Sequence, residues 1–266
     1  MTTAKQDLFD MQAQKDTRGL KIDRVGIKDV RYPFTIRCKD PKKEHQHVVA
    51  SLSMQVDLPA DQKGTHMSRF MEALNQYRHG FSAEALVGLC NNLKARLQSS
   101  RSFVEVEFNY FIERKSPMTG KIGLVEHTVK MAAQSSDKDK GLILEVTSPI
   151  TTLCPCSKEI SAFGAHNQRG KVSIAVRPAS LVWIEDLVAI IEGVGSSNIY
   201  PILKRTDEKF VTEQAYENPK FVEDVVRDAA ERVRSIVGIE WFTVRCINYE
   251  SIHAHNAYAE IEVNNG

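Results

Sequence analysis

Two cysteines and a histidine are the first residues whose types and spacing could do chemistry. Cys154 and Cys156 are separated only by Pro155, and His166 follows twelve positions after Cys154, in a polar stretch at residues 164–170. A thiolate and an imidazole on two neighbouring loops can bind a divalent metal together. The spacing matches no strict metal-binding motif, so free thiols beside a loop histidine are the alternative interpretation.

A dense run of charges at residues 204–209 could supply a third ligand. The run reads Lys-Arg-Thr-Asp-Glu-Lys and contains Glu208. A set of one cysteine, one histidine and one carboxylate would leave a coordination position open for water, which is typical of catalytic metal sites. The alternative is a solvated surface loop, since most charge runs have no further role.

Residues 250–256 carry an acid and two histidines that could move protons. Glu250 opens the segment, and His253 and His255 are two positions apart. Two residues at this spacing project to the same side of an extended chain. Histidine exchanges protons near neutral pH, which suits general acid and base catalysis. The alternative is a polar hairpin tip.

Two further groups could bind a substrate. Lys63, His66 and Arg69 cluster where a helix is predicted to begin, and helix starts with cationic side chains suit phosphate groups. Glu223 lies early in another predicted helix and could accept the paired N–H groups of a guanine edge. The alternatives are an ordinary helix cap with surface charges and an acid that complements the helix dipole.

The bulk composition is that of an ordinary globular protein. The 266 residues are 42% hydrophobic and 26% charged, and 35 basic residues against 34 acidic ones give a net charge of +1. This balance gives no electrostatic argument for a nucleic-acid or membrane partner. The cysteine count of five is odd and the first residues are polar. We therefore expect a cytoplasmic protein with free thiols.

The elements that must position these groups follow a doubled order. Each half of the chain is predicted to run strand–strand–helix–helix–strand–strand, from period-2 and helical spacing of the apolar residues. The strands are predicted to begin near 25 and to cover 48–58, 103–113, 121–133, 142–147, 172–176, 240–249 and 257–263. The segment after residue 147, with its two prolines, is expected to leave the sheet.

Helix signals complete this prediction. In the first half, Ser82 is expected to cap a helix after a break at Gly80. In the second half, one helix covers 181–192, and another begins at Asn218-Pro219 because asparagine is a good N-cap and proline fits the first helical position.

The polar stretches divide the chain. We expect a flexible N-terminal segment at 1–20, a first module at 21–138 and a second module at 139–266 that carries most of the active site.

Taken together, the ordered segments 63–70, 152–157, 164–170, 204–209 and 250–255 resemble the type IB GTP cyclohydrolases of folate and queuosine biosynthesis. The resemblance implies an α+β fold of two tandem tunnelling-fold (T-fold) modules. Their antiparallel sheets would carry helices on one face and assemble into a barrel-like homotetramer with active sites near subunit interfaces. It also implies conversion of GTP to 7,8-dihydroneopterin triphosphate with release of formate, the first step of tetrahydrofolate biosynthesis.

The resemblance also implies roles for individual residues. A divalent metal, with manganese and zinc the leading candidates, would be held by Cys154, His166 and Glu208. Glu223 would bind the purine, and His253 would act as general acid and base.

The other candidates belong to the same implied site. Glu250, His255 and Cys156 would lie in the active-site region without an assigned step, and Lys63, His66 and Arg69 would contact the triphosphate.

Two rival functions are open from the sequence. One is a T-fold nitrile reductase with a cysteine nucleophile and NADPH, whose Glu-x-Lys-Ser-type motif has its nearest counterpart at residues 113–116, directly before Pro117. The other is a non-enzymatic module that binds a purine or pterin.

Overall fold

The computed structural model describes residues 9–43, 45–77, 81–136 and 140–265. Within these ranges it contains eight strands, six α-helices and one short 3-10 helix at Asn75–Tyr77. The strands are β1 Ile22–Arg37, β2 His45–Leu58, β3 Ser102–Lys115, β4 Ile122–Ser135, β5 Lys140–Leu153, β6 Asn167–Pro178, β7 Ile239–Asn248 and β8 Ala257–Asn264. The helices are α1 Ser68–Leu74, α2 Ala83–Arg96, α3 Pro155–Ile160, α4 Ile184–Glu192, α5 Arg205–Glu217 and α6 Val222–Arg234.

All eight strands belong to one antiparallel sheet, whose hydrogen-bonded neighbours follow the chain order from β1 to β8. In the part that matters most for the site, β5 pairs with β6, β6 with β7 and β7 with β8. The β5–β6 register places Thr152 opposite Gln168 and Leu153 opposite Asn167. The α+β class expected from the sequence is therefore confirmed.

The chain forms two compact units, of which the first comprises Met1–Ile36, Val49–Val106 and Ala132–Leu142. Its core follows the two periodicities of the sequence. Alternate residues of β2 are buried, and α2 buries a stripe at helical spacing, namely Leu86, Leu89, Cys90 and Leu93. The Oγ of Ser82 accepts a hydrogen bond from the N–H of Ala85 at 3.2 Å, so the predicted N-cap is confirmed.

The second unit comprises Arg37–Val48, Glu107–Met131 and Ile143–Gly266. Helix α6 packs on β7 and β8, and α4 packs on β6. The buried stripe of α6 consists of Val222, Val225, Val226, Ala229, Ala230 and Val233. The apolar spacing predicted for this helix is thus the face that covers the sheet.

The predicted start of the last helix is wrong. Helix α6 begins at Val222, and Asn218 instead closes α5, with its N–H donating to the carbonyl of Gln214. The effective start signal is Asp224, whose Oδ2 accepts from the N–H of Phe221 at 2.9 Å. A carboxylate at the third helical position satisfies a free backbone donor, and here it outweighs the proline signal.

Two helices and the end of one strand also depart from the predicted order. Helix α3 follows β5 directly, and the charge run at 204–209 leads into the first turn of α5 instead of a loop. Strand β5 does not leave the sheet after residue 147, because Pro149 is paired with Lys171 and pairing continues to Leu153. Its proline costs the ladder one N–H donor while the neighbouring pairs hold the register.

Some predictions fall on residues that the structure does not describe. These are residues 1–8 of the N-terminal segment, the break at Gly80 and the boundary between 138 and 139, so the domain limits stay predictions. Within the described ranges, none of the helices is long and apolar enough to cross a membrane.

Candidate metal and active site

Cys154 and His166 lie next to each other at the end of the β5–β6 pair. The N–H of Cys154 donates to the carbonyl of His166 at 3.1 Å, which extends the ladder by one step beyond Leu153 and Asn167. Cys154 is half-buried and caps helix α3, where its Sγ accepts from the N–H of Ser157 at 3.4 Å. The backbones of Cys154 and His166 are therefore in direct contact, and metal binding by their side chains stays a prediction.

Ser157 fastens the same two residues from the other side. Its Oγ donates to the carbonyl of Cys154 at 3.2 Å and accepts from the N–H of His166 at 3.2 Å. One hydroxyl thus bridges the two backbones in addition to their direct hydrogen bond. These bonds restrict the backbone from which the thiol of Cys154 and the imidazole of His166 project.

The imidazole of His166 contacts two side chains, Gln168 and Ser251. Its Nδ1 lies 3.0 Å from Oε1 of Gln168, and Nε2 of Gln168 donates to Oγ1 of Thr152 at 2.8 Å. Oγ of Ser251 lies 3.4 Å from the same Nδ1. This contact brings the start of the 250–256 segment to His166.

The proton-transfer candidates lie on that segment. The N–H of Tyr249 donates to the carbonyl of Arg169 at 2.8 Å, which fixes the point where the chain leaves β7. Glu250 is half-buried, whereas His253 and His255 are exposed. The two imidazole rings stack, with centroids 5.1 Å apart and planes at 15°. The two rings lie on the same side of a bend that follows β7.

Cys156 and Glu208 are solvent-exposed, and each lies in the first turn of a helix. Cys156 follows Pro155 in the first turn of α3, and Glu208 lies in the first turn of α5. Among the residues the structure describes, no three or more His, Cys, Asp and Glu side chains form a group that could hold a metal ion. The structure therefore brings Cys154 and His166 together and leaves Glu208 outside an assembled cluster.

Asp207, beside Glu208, is a structural residue that sequence reasoning missed. Its carboxylate is fully buried and accepts four hydrogen bonds, from the N–H of Met118, the N–H and Oγ1 of Thr119, and the N–H of Lys204. These bonds join the start of α5 to the β3–β4 turn. They therefore fix the position of the helical turn that carries Glu208. The signal that could have found it is an acid at the third position of a helix.

The Asp207 carboxylate is held ionised. Burial by itself raises the pKa of this carboxyl, but the hydrogen bonds that it accepts outweigh burial and hold its pKa well below the ordinary value of 3.8. The ionised group therefore stabilises the fold above pH 3.8, and this contribution is lost as the pH falls through the lowered pKa.

We expect Asp207→Asn to lower the melting temperature at pH 7, because an amide cannot accept all four bonds. The difference from wild type should narrow as the pH drops below 3.8. Thermal denaturation across pH 3 to 7 measures both effects. Glu213→Gln is the control, since Glu213 pairs with Lys209 on the exposed face of the same helix and should matter little. Equal melting temperatures for wild type and Asp207→Asn at pH 7 would refute this role.

Glu223 lies in the first turn of α6 and is exposed. Just before this helix, the N–H of Lys220 donates to the carbonyl of Leu153 at 3.0 Å. Leu153 directly precedes Cys154, so the entrance to α6 is tied to the strand end that carries the metal candidate. This backbone link places the purine candidate on an element anchored at the site.

The triphosphate candidates belong to the first unit. Nζ of Lys63 donates to Oε1 of Gln14 at 3.3 Å, and Nε2 of His66 lies 3.0 Å from Oδ2 of Asp10. Arg69 donates from Nη1 to the carbonyl of Arg96 at 3.4 Å. The helix that begins here, α1, has no side-chain N-cap.

The donor chemistry of the Cys154–His166 pair fits a divalent metal. A cysteine thiolate and a neutral imidazole are ligands of zinc and related ions, and ligating histidines commonly donate their other ring N–H to an oxygen acceptor. The Gln168 carbonyl oxygen is such an acceptor at Nδ1 of His166. The pair supplies two donors, and a third must come from another residue.

Solved structures with a similar fold include uricases. The chain matches a uricase from Arthrobacter globiformis with a TM-score of 0.54 at 8% identity, covering 91% of this chain and 93% of that one. It matches urate oxidase from Bacillus sp. TB-90 with a TM-score of 0.51 at 9% identity, covering 91% and 100%. At this identity the likeness concerns the fold alone, and it agrees with the expected T-fold class of α+β proteins.

The family is defined by sequence. Residues 8–259 match the family described as type I GTP cyclohydrolase folE2. The chain is 50% identical over 256 residues to the GTP cyclohydrolase FolE2 of Geotalea uraniireducens, covering 96% of this chain and 93% of the relative. It is 49% identical over 257 residues to the GTP cyclohydrolase FolE2 of Syntrophobacter fumaroxidans, covering 96% and 99%. The chain belongs to the FolE2 family, and the resemblance stated from the sequence is confirmed.

Proposed function

We propose that this protein is a GTP cyclohydrolase that converts GTP to 7,8-dihydroneopterin triphosphate with release of formate, in folate biosynthesis. The observation that carries this function is the match to the FolE2 family over residues 8–259, with relatives about half identical across nearly their whole length. Family membership favours this activity over a nitrile reductase and over a binding module without turnover.

The metal site would be formed by Cys154, His166 and Glu208, with manganese or zinc as the ion. The hydrogen-bonded backbones of Cys154 and His166 support the first two ligands. Glu208 would complete the set from α5, whose start is fixed by the buried carboxylate of Asp207. When bound, a divalent metal supplies a water nucleophile that is active at neutral pH.

His253 would move the protons of the reaction. Carbon C8 of guanine is a weak electrophile until the imidazole ring of the base gains a proton. His253 would donate that proton to N7 and later transfer protons during ring opening. Its exposure and its place on the segment that touches His166 through Ser251 support this role. Glu250, His255 and Cys156 would complete the polar surroundings.

Glu223 would bind the guanine edge, and the cations of the first unit would bind the triphosphate. A carboxylate is an acceptor with two oxygens and can receive two parallel N–H donors. Lys63, His66 and Arg69 carry or can carry positive charge at the start of α1, and such side chains suit phosphate oxygens.

We expect Glu223→Ala to raise the KM for GTP by about 10- to 100-fold, because a hydrogen-bonded charged group is worth roughly 1.5–3 kcal/mol. Steady-state kinetics with GTP measure this. Glu231→Ala is the matched control, since Glu231 is exposed later on the same helix and should leave KM unchanged. An unchanged KM for Glu223→Ala would remove the guanine-binding role.

The larger organisation is part of the same proposal. Two tandem T-fold modules, with their helices on one sheet face, would assemble as a barrel-like homotetramer in the cytoplasm. The product would supply folate synthesis and, by resemblance, queuosine synthesis.

The test of the proposed function is incubation of the purified protein with GTP in the presence of manganese or zinc. We expect formate and a pterin, which becomes fluorescent after oxidation, and no turnover after chelation of the metal. An assay of NADPH oxidation with a nitrile substrate tests the rival reductase. Tight binding of GTP without formate would instead support the binding module.

A further inference from the structure

A buried glutamine connects the metal candidate His166 to the interior of the sheet. Gln168 is 7% exposed and Thr152 is fully buried. Oε1 of Gln168 lies 3.0 Å from Nδ1 of His166, and Nε2 of Gln168 donates to Oγ1 of Thr152 at 2.8 Å. Both polar ends of one amide are thus occupied, away from solvent, beside a proposed metal ligand.

The strand register makes this arrangement rigid. Thr152 and Gln168 are directly opposite each other in the β5–β6 pair, so their side chains stand on the same face of the sheet at close range. Gln168 occupies an inward position in β6, as Gly170 and Val172 do. A buried polar side chain at such a position must have its hydrogen bonds satisfied. In the observed rotamer Nε2 of Gln168 donates to Thr152 while Oε1 faces the imidazole of His166.

The orientation of the amide has a consequence for the imidazole. A carbonyl oxygen can only accept, so the proton of neutral His166 must be on Nδ1 when it bonds to Oε1 of Gln168. The other ring nitrogen, Nε2, then carries a lone pair. A histidine binds a metal through an unprotonated nitrogen, and the partner of its second nitrogen decides which one that is.

We propose that Gln168 is a positioning residue that fixes the tautomer of His166, so that Nε2 is the metal-binding nitrogen, and that Thr152 supports the Gln168 amide as the hydrogen-bond partner of its nitrogen. The inference rests on the proposed metal site and deepens it. Ser251 lies further from Nδ1, at 3.4 Å, and is exposed, so the buried amide is the closer partner.

Three variants separate the features of this arrangement. Gln168→Met keeps the length of the side chain and removes both polar ends. Gln168→Glu keeps an acceptor toward His166, as in the carboxylate–histidine–metal arrangements of other proteins. Thr152→Val keeps the shape of the buried threonine and removes the hydrogen-bond partner of the amide nitrogen. Cys154→Ala reports what loss of a ligand does to the site.

Competition titrations of zinc against a chelator measure the effect on the metal. We expect Gln168→Met to weaken zinc binding by about 10- to 100-fold, the usual cost of losing a partner of a ligand. Thr152→Val should lose less zinc affinity than Gln168→Met, and Gln168→Glu should bind zinc as tightly as the wild type. Equal affinity of Gln168→Met and wild type would overturn the proposal, as would a Gln168→Glu variant as weak as Gln168→Met, because it would show that the amide donates to His166.

The tautomer is read independently by nitrogen NMR of the metal-free protein labelled at histidine. The His166 signal is assigned with a His166→Gln variant. We expect the proton on Nδ1 in wild type and Gln168→Glu, and loss of that preference in Gln168→Met, at a melting temperature that establishes a folded protein. A proton on Nε2 in the folded wild type would overturn the proposal.

The two experiments distinguish the two levels of the account. If Cys154→Ala binds zinc as tightly as wild type, the proposed metal site is wrong. The NMR result still decides whether Gln168 sets the His166 tautomer, because it needs no metal. If Cys154→Ala loses zinc and Gln168→Met does not, the metal site stands and the role of Gln168 is overturned.

Discussion

Replacing Cys154 with alanine is expected to lower formate release from GTP by at least about 10³-fold, because a catalytic metal supplies several kcal/mol of transition-state stabilisation. The variant should also be purified with little bound metal. Cys154 is half-buried at the N-cap of α3, and its Sγ accepts a weak bond from the N–H of Ser157 at 3.4 Å. Loss of this bond costs the fold little, so the variant should stay folded.

Cys156→Ala is the matched comparison. This thiol is two residues away and exposed, and it lies in the first turn of the same short helix. We expect it to retain metal and to lose far less activity than Cys154→Ala. Formate assays and metal analysis of both variants give the answer. If the two variants lose activity equally, or if Cys154→Ala keeps its metal and its turnover, the assignment of Cys154 as a ligand is wrong.

Replacing His253 with alanine should lower kcat by about 10²- to 10⁴-fold, the usual contribution of a positioned acid or base. Metal content should not change, since His253 is not a proposed ligand. The side chain is exposed on the bend after β7, so its removal leaves the core intact. The measurement is kcat for formate release together with the bound metal per chain.

His255→Ala is the control for this prediction. The two rings stack 5.1 Å apart, so His255 can affect the orientation of His253 without transferring a proton itself. We expect a smaller loss of kcat for His255→Ala than for His253→Ala. A reversed order would transfer the acid–base role to His255, and a loss below tenfold in both would exclude the pair from proton transfer.

The fold was largely accessible from the sequence because most elements bury one face. The alternation through Val104, Val106, Phe108 and Tyr110 predicts one buried face of β3, and all four residues are buried. The predicted end of the helix at residue 192 is also observed, with Gly193 as the C-cap of α4. Such patterns reflect the burial of one face of an element, so they can be read from the sequence without knowledge of its partners.

The start of α5 was less accessible because long-range contacts determine it. The run at 204–209 is polar all round, so it has no apolar stripe that would predict a helix. Its start is fixed by Asp207, which bonds to the β3–β4 turn at residues far away in the chain. Single-sequence spacing contains no information on such partners.

The candidate site also contains residues that the sequence predicts and one that it does not. Cys154 and His166 could be paired from their residue types and order, and their backbones are hydrogen-bonded. Gln168 could not be identified, because a glutamine in a polar stretch gives no sign that it will be buried opposite Thr152. The register of the two strands creates that contact, and register follows from the assembled sheet.

The most direct test of the proposed activity follows a labelled carbon. GTP carrying ¹³C at C8 is incubated with the purified, metal-loaded protein, and the products are observed by carbon NMR. A GTP cyclohydrolase transfers the label to formate, in a one-to-one ratio with a pterin that contains none of it. Label that stays in the purine ring after GTP has been bound, or that leaves without formation of a pterin, would contradict the account.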